Sequence, residues 1–307
     1  MEKLIITGGK PLQGQVTVGG AKNVAMKVIL AGLLTDELLT VHNIPLISSV
    51  LGTTKIVEPL GVSVIRKNHT LEISGKNVHT HKVPMELGGL YRTATMVMGP
   101  LLARFGSAVV PNPGGCRLGK RPVDWHTQAL EKMGVKIKYK DGYFWAETKK
   151  LRGANIAFPK NTHTGTETVI LAAVLADGDT IIENAAEEPE IDDLIRFLVE
   201  MGANIKRSNR KIIIRGVKRL HGVTYTIMSD RKEVVTYAVA GAATGGDIVI
   251  EGTQREYLRA FLGKLDEGGV GWDPIDAHST RFYRKESLTA THVETSPYPG
   301  FMTDWQA

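Results

Sequence analysis

One cysteine in 307 residues is the scarcest feature of this chain. It excludes an internal disulfide and fits a reducing, cytoplasmic setting. Aromatic residues are sparse as well, at 6% of the composition. The net charge of +6 would suit an anionic partner, yet the lysines and arginines are scattered and form no basic stripe, so nucleic-acid binding is not expected. Long apolar runs are missing too. The opening MEKLIITGGKPLQG turns polar and glycine-rich after a short apolar stretch, too brief for membrane insertion and without the hydrophobic region of a secretory signal.

What is present looks like an ordinary globular protein, with 42% hydrophobic and 23% charged residues and enough length for two domains. Four segments follow one grammar: a polar or charged pair, an apolar helix rich in Ala and Leu, a glycine or Asp-Gly turn, a β-branched strand, then a second helix closing on Leu-Gly-Val or a near variant. VILAAVLA has apolar residues at helical spacing, whereas DTIIEN and GDIVIEG read as short strands. Hairpins are expected at KNHTLEISGKN, KYKDGYFWAETKK and KRSNRKIIIRGVK. The closing glycines Gly61, Gly134, Gly202 and Gly268 recur at nearly even spacing, the mark of a repeated supersecondary unit. An α/β (α+β) fold built from βαβαββ-like units is expected. The units open at Lys22, Arg92, Thr166 and Asp230, and a fifth opens at Asp304, where Thr303 is read as the N-cap of a helix that is not written. The C-terminus is therefore expected to be truncated, or completed by another polypeptide.

Five motifs stand in order along the chain: GGAKN (19–23), GGC-x-x-G-x-RPVD-x-H (114–126), AEEPEI (186–191), MSDR (228–231) and PGFMTD (299–304). Together they resemble the enolpyruvyl transferases that act on UDP-N-acetylglucosamine, over essentially the whole length. The resemblance implies two inside-out α/β barrels of three units each, with substrates in the cleft between them. On that template 22–228 is a complete three-unit domain. Residues 1–21 give the first strand or strands of the second domain, and 229–307 give about one of its three units. The implied reaction moves the enolpyruvyl group of phosphoenolpyruvate onto the sugar 3-hydroxyl and releases phosphate, the first committed step of peptidoglycan synthesis. A remnant that binds the nucleotide sugar or reacts with fosfomycin without turnover is the alternative. The sister activity on shikimate 3-phosphate is disfavoured, because that enzyme lacks the cysteine.

The chemistry needs a proton donor for the methylene carbon, a base for the hydroxyl and cations for a carboxylate and phosphates. Cys116 is the expected donor and the residue fosfomycin alkylates: it lies among glycines with Arg117, Lys120 and Arg121 close in sequence, a setting that favours thiolate. Taken alone, a solitary cysteine is as readily a small buried hydrophobe. Asp304 matches the family's base, although a carboxylate in the first turn of a helix has a bland reading as well. Lys22 and Asn23 follow a Gly-Gly turn suited to an anion, and the family uses this pair on phosphoenolpyruvate and the sugar. Arg121 and Arg92 match arginines on the same substrates, though LYRTATMVMGP departs from the usual setting of the latter. Pro122, Val123, Asp124, Trp125, His126, Lys160 and Thr162 match positions around the uridine and diphosphate. In NTHTGTET, His163 and Thr164 replace the usual small or apolar residues.

Two other signals carry less. GGCRLGK satisfies the core of a P-loop, but Arg121 follows instead of Ser or Thr, leaving no hydroxyl for magnesium. His79 and His81 have no evident Cys or carboxylate companions for a metal. No metal and no organic cofactor is expected.

Overall fold

A helix that is apolar around its circumference has no face to give to water and belongs inside a packed layer. The computed structural model describes residues 3–114 and 122–305 and divides the chain into two compact units, residues 20–228 and residues 1–19 with 229–307.

The smaller unit takes the first strand, β1 (Gln13–Thr17). The larger unit then runs α1 (Lys22–Ala31), β2 (Leu39–His42), α2 (Ser48–Val57), β3 (Ser63–Lys67), β4 (Thr70–Ser74), α3 (Met85–Gly88), α4 (Met98–Phe105), β5 (Ser107–Pro111), α5 (Asp124–Lys132), β6 (Lys136–Lys140), β7 (Tyr143–Glu147), β8 (Asn155–Ala157), α6 (His163–Ala173), β9 (Asp179–Glu183), α7 (Pro189–Glu200), β10 (Asn204–Ser208), β11 (Lys211–Arg215) and β12 (Val223–Thr226). The chain returns to the smaller unit with α8 (Arg231–Thr244), β13 (Asp247–Glu251), α9 (Arg259–Glu267), β14 (Val270–Pro274) and β15 (Ser279–Arg284).

The stretch from β8 to β11 shows the repeat most plainly. Here β8 lies parallel to β9, and β11 runs antiparallel between β9 and β10, giving the order β10-β11-β9-β8. The sheets β3-β4-β2-β12 and β14-β15-β13-β1 repeat this order. In the sheet β6-β7-β5 a single parallel bridge from Lys82 to Val109 stands where the fourth strand would be. The unit is thus the expected βαβαββ. Its strands bury one face: in β11, Ile212 and Ile214 are buried while Lys211, Ile213 and Arg215 face water. Helices α1, α4 and α6 occupy the interior, with every residue from Gly165 to Ala173 of α6 buried. Helices inside and sheets outside make the inside-out arrangement.

The closing glycines need a left-handed backbone, which only glycine adopts without strain. Gly61, Gly134 and Gly202 have φ of 104°, 92° and 96°. The fourth repeat corrects the expectation by one residue. Gly268 caps α9 in a right-handed conformation, the place Met133 and Met201 hold after α5 and α7, and Gly269 makes the left-handed turn at φ 81°. At the end of the described residues Thr303, read from the sequence as the N-cap of a helix that is not written, stands inside a short turn. Thr303–Trp305 forms a single 3-10 turn, and Met302 and Trp305 join the smaller unit's core with Val234, Ala238, Ile250, Phe261 and Phe282.

Candidate active site

In the larger unit, the second glycine of GGAKN is imposed by the backbone. A Cβ on Gly20 would run into the carbonyl oxygen of Asn43. Asn43 is itself left-handed at φ 63° and donates from Nδ2 to the Ile227 carbonyl at 3.1 Å. Ala21 N donates to the Met228 carbonyl at 2.8 Å. These contacts pin the start of α1, whose first two residues are Lys22 and Asn23, both half-buried. The first N–H groups of that helix have no partner within it and favour negative charge.

Arg92 opens a 3-10 turn and donates from Nη2 to the Pro122 carbonyl at 3.2 Å, so two matched segments 30 residues apart meet. Val123 precedes α5, and Asp124 and Trp125 form its first turn. Trp125 lines a small groove with Ile156, Phe158 and Pro159, beside the stretch that leads to Lys160. His126 turns inward, 4% exposed, with Nε2 2.9 Å from Thr164 Oγ1. Burial first, and then the charge of Arg92, push its pKa down to about 4, against a weaker upward pull from Glu167. The ring is uncharged at neutral pH. Thr162 caps α6, its Oγ1 accepting from Gly165 N at 3.2 Å. Lys160 is exposed two residues earlier.

In the smaller unit, Asp304 accepts from Lys232 Nζ at 2.6 Å. The turn bearing it is anchored by Trp305, whose ring meets those of Phe261 and Phe301 edge-on at 5.9 and 5.1 Å. Buried Arg231 donates to Met302 Sδ at 3.6 Å and lies over Tyr298. Cys116 and Arg121, with Arg117 and Lys120, lie outside the described residues.

Sequence reasoning does not single out Lys27, Glu167 or Lys232. Glu167 is wholly buried on α6 and pairs with Lys27 Nζ and with His163 Nε2, each at 3.1 Å. A lysine inside the apolar run VAMKVILAG and the four-residue spacing of His163 and Glu167 were the available signals. Among the described residues no cluster of three or more His, Cys, Asp or Glu could hold a metal ion, and no helix is long and apolar enough to cross a membrane.

The EPSP synthase family (3-phosphoshikimate 1-carboxyvinyltransferase) matches residues 6–307. The UDP-N-acetylglucosamine 1-carboxyvinyltransferase of Lawsonia intracellularis is 43% identical over all of this chain and 74% of its own length, and that of Koribacter versatilis 41% over all of this chain and 72% of its own. Among solved structures, the enolpyruvyl transferase NikO from Streptomyces tendae superposes with a TM-score of 0.84 at 21% identity, covering 97% of this chain and 72% of that one. EPSP synthase from Acinetobacter baumannii gives 0.73 at 23%, covering 94% and 68%. At such identities the superpositions speak for the fold alone.

Proposed function

Because the chain belongs to the EPSP synthase family of enolpyruvyl transferases, we propose that it moves the enolpyruvyl group of phosphoenolpyruvate to the 3-hydroxyl of UDP-N-acetylglucosamine, releasing phosphate. One observation carries the choice of acceptor. Relatives named for UDP-N-acetylglucosamine match the whole chain at 41–43% identity. The reaction is the first committed step of peptidoglycan synthesis, and its substrates are those of a cytoplasmic enzyme.

In the addition step Cys116 gives its proton to the methylene carbon as the sugar hydroxyl oxygen bonds to C2, and Asp304 takes the hydroxyl proton. In the elimination the C2–O bond to phosphate breaks, a proton leaves the new methyl group, and the double bond returns. Lys22, Arg92 and Arg121 hold the carboxylate and phosphate of phosphoenolpyruvate, with Asn23 on the sugar. Pro122, Val123, Asp124, Trp125, Lys160 and Thr162 hold uridine and diphosphate, and His126 braces their loop from within through Thr164. The pinned start of α1, the reach of Arg92 to Pro122 and the tie between His126 and Thr164 support this arrangement. No step calls for a metal or an organic cofactor.

Phosphate release from phosphoenolpyruvate should require UDP-N-acetylglucosamine and ignore shikimate 3-phosphate. Release that followed the latter would overturn the choice of acceptor, and nucleotide binding without release would leave a binding protein. Cys116→Asp should keep some transfer while escaping fosfomycin, because a carboxyl delivers a proton but is a poor nucleophile towards the epoxide. Covalent labelling of that variant would refute the role of Cys116.

A polypeptide bearing further repeat units is proposed as a partner. Helix α8 leaves Tyr237 and Val239 exposed, whereas the matching α6 is buried from Gly165 to Ala173, and Leu4, Ile5 and Ile6 also face water. Addition of such a polypeptide should raise phosphate release, and an unchanged rate would count against it.

A further inference from the structure

We propose that Lys27 and the partly exposed His163 grip the buried Glu167 carboxylate in a yoke that fixes the anion-binding start of α1 against the nucleotide loop at the start of α6, with His163 setting the pH range over which nucleotide is held. The proposal deepens the functional reading above and rests on it.

The yoke joins two matched segments through one carboxylate. Lys27 lies five residues after Lys22 on α1, about 7.5 Å along the helix axis. His163 directly follows the cap residue Thr162, and Glu167 lies one turn later on the same face of α6. Glu167 is 0% exposed and touches both cations at 3.1 Å. A displacement of either helix start would separate a buried carboxylate from a cation, which is strongly unfavourable. Three apolar side chains would serve stability as well or better. What an ion triad adds is a fixed geometry, here between the residues assigned to phosphoenolpyruvate and those assigned to the diphosphate.

The charged groups facing His163 are Glu167 on its own helix, Lys27 from α1 and Glu188 from the turn before α7. His126, from α5, stands beyond Thr164 with Arg92. Burial pushes the His163 pKa down, but the Glu167 carboxylate outweighs it, with Glu188 assisting and Lys27 opposing, so the imidazolium persists above its ordinary range. Glu167 is penalised by burial and rescued by His163 and Lys27, which hold it below the usual carboxylate range. His126 is already neutral. A group whose pKa is raised on folding contributes fully below about pH 6.5 and loses that contribution as pH rises through its folded value. The grip on α6 therefore weakens on the alkaline side, while the nucleotide diphosphate keeps a constant charge.

The experiment is calorimetric titration of the full chain with UDP-N-acetylglucosamine, without phosphoenolpyruvate, from about pH 6 to about pH 9. It compares wild type, His163→Val and Glu167→Gln, with circular dichroism as a check of folding. Wild-type affinity should fall about threefold or more on the alkaline side. His163→Val should flatten the profile, and Glu167→Gln should move the His163 imidazole titration, read by 15N NMR, to lower pH. Should Glu167→Gln fail to fold, the His163→Val profile decides. A wild type that binds with a flat profile, or His163→Val with the wild-type slope, overturns the yoke alone. A wild type that binds no nucleotide at any pH overturns the functional reading and the yoke with it.

Discussion

His126 shows how burial changes what a residue can do. Its run, PVDWH, has the look of a ligand-binding segment, yet the ring is packed inside against Thr164, with its pKa down to about 4. A folded-state pKa below the unfolded value near 6.5 means that the unfolded chain binds more protons in between. Stability contributed by the neutral ring is complete above about pH 6.5 and drains away as pH falls towards 4, by about 3 kcal/mol in all. Urea unfolding at pH 7 and pH 5 should show this loss in wild type and a smaller one in His126→Gln. An equal loss in both would remove His126 from the explanation. Asp304 is the opposite case, with its side chain 62% exposed beside Lys232. An exposed pair is worth less than about 1 kcal/mol, so Lys232→Met should barely change stability. Asp304→Asn should cut phosphate release by about a hundredfold if the carboxylate is the base, and a near-normal rate would dismiss it.

At the scale of the element, two adjacent glycines in GGAKN have different reasons to exist. Gly20 sits against the Asn43 backbone, whereas a Cβ on Gly19 would meet only the Glu233 carboxylate at 3.5 Å, an ordinary contact. Gly20→Ala should therefore cost about 2 kcal/mol through a forced backbone shift, and Gly19→Ala less than about 0.5 kcal/mol. Equal thermal shifts for the two variants would show that the start of α1 is not pinned as described. Thr162→Ala should cost about 1 kcal/mol by removing the cap of α6. The hairpin turns and closing glycines were legible because each depends on local backbone chemistry, whereas the Thr162 cap of α6 was not singled out. Asn68, Asp141 and Asn209, at φ of 52°, 52° and 51°, fall within the expected Gly, Asn and Lys turns. The shift from Gly268 to Gly269 was not legible, since with two glycines in a row the residue that turns left-handed depends on where the helix stops.

The larger unit closes on itself as a whole molecule would. Its first repeat takes its leading strand from the end of the unit, where β12 pairs parallel to β2, Val223 with Leu39 through Thr226 with His42. Buried Asp193 ties down that end, with Oδ1 accepting from Tyr225 OH at 2.8 Å and Oδ2 from Met228 N at 3.0 Å. Residues 20–228 expressed alone should therefore unfold in a single cooperative urea transition. A fragment ending at Leu220 should lose that cooperativity, because β2 then has an open edge. Identical transitions in the two fragments would show that β12 is dispensable.

By itself the sequence determined the repeat, and its ordered motifs carried the resemblance that implied the family and the inside-out placement of the apolar helices, because periodicity, turn chemistry and motifs all act over short stretches of chain. It also offered most of the candidate ligand residues, since Lys22, Asn23, Arg92, Asp124 and Lys160 stand in recognisable runs. Only the tertiary structure decided that β12 completes the first repeat, that His126 faces inward and that Lys27, Glu167 and His163 share one charge cluster. Those outcomes depend on which distant segments meet and how far water is excluded where they do, and a buried ion pair has no signature until its partners are brought together.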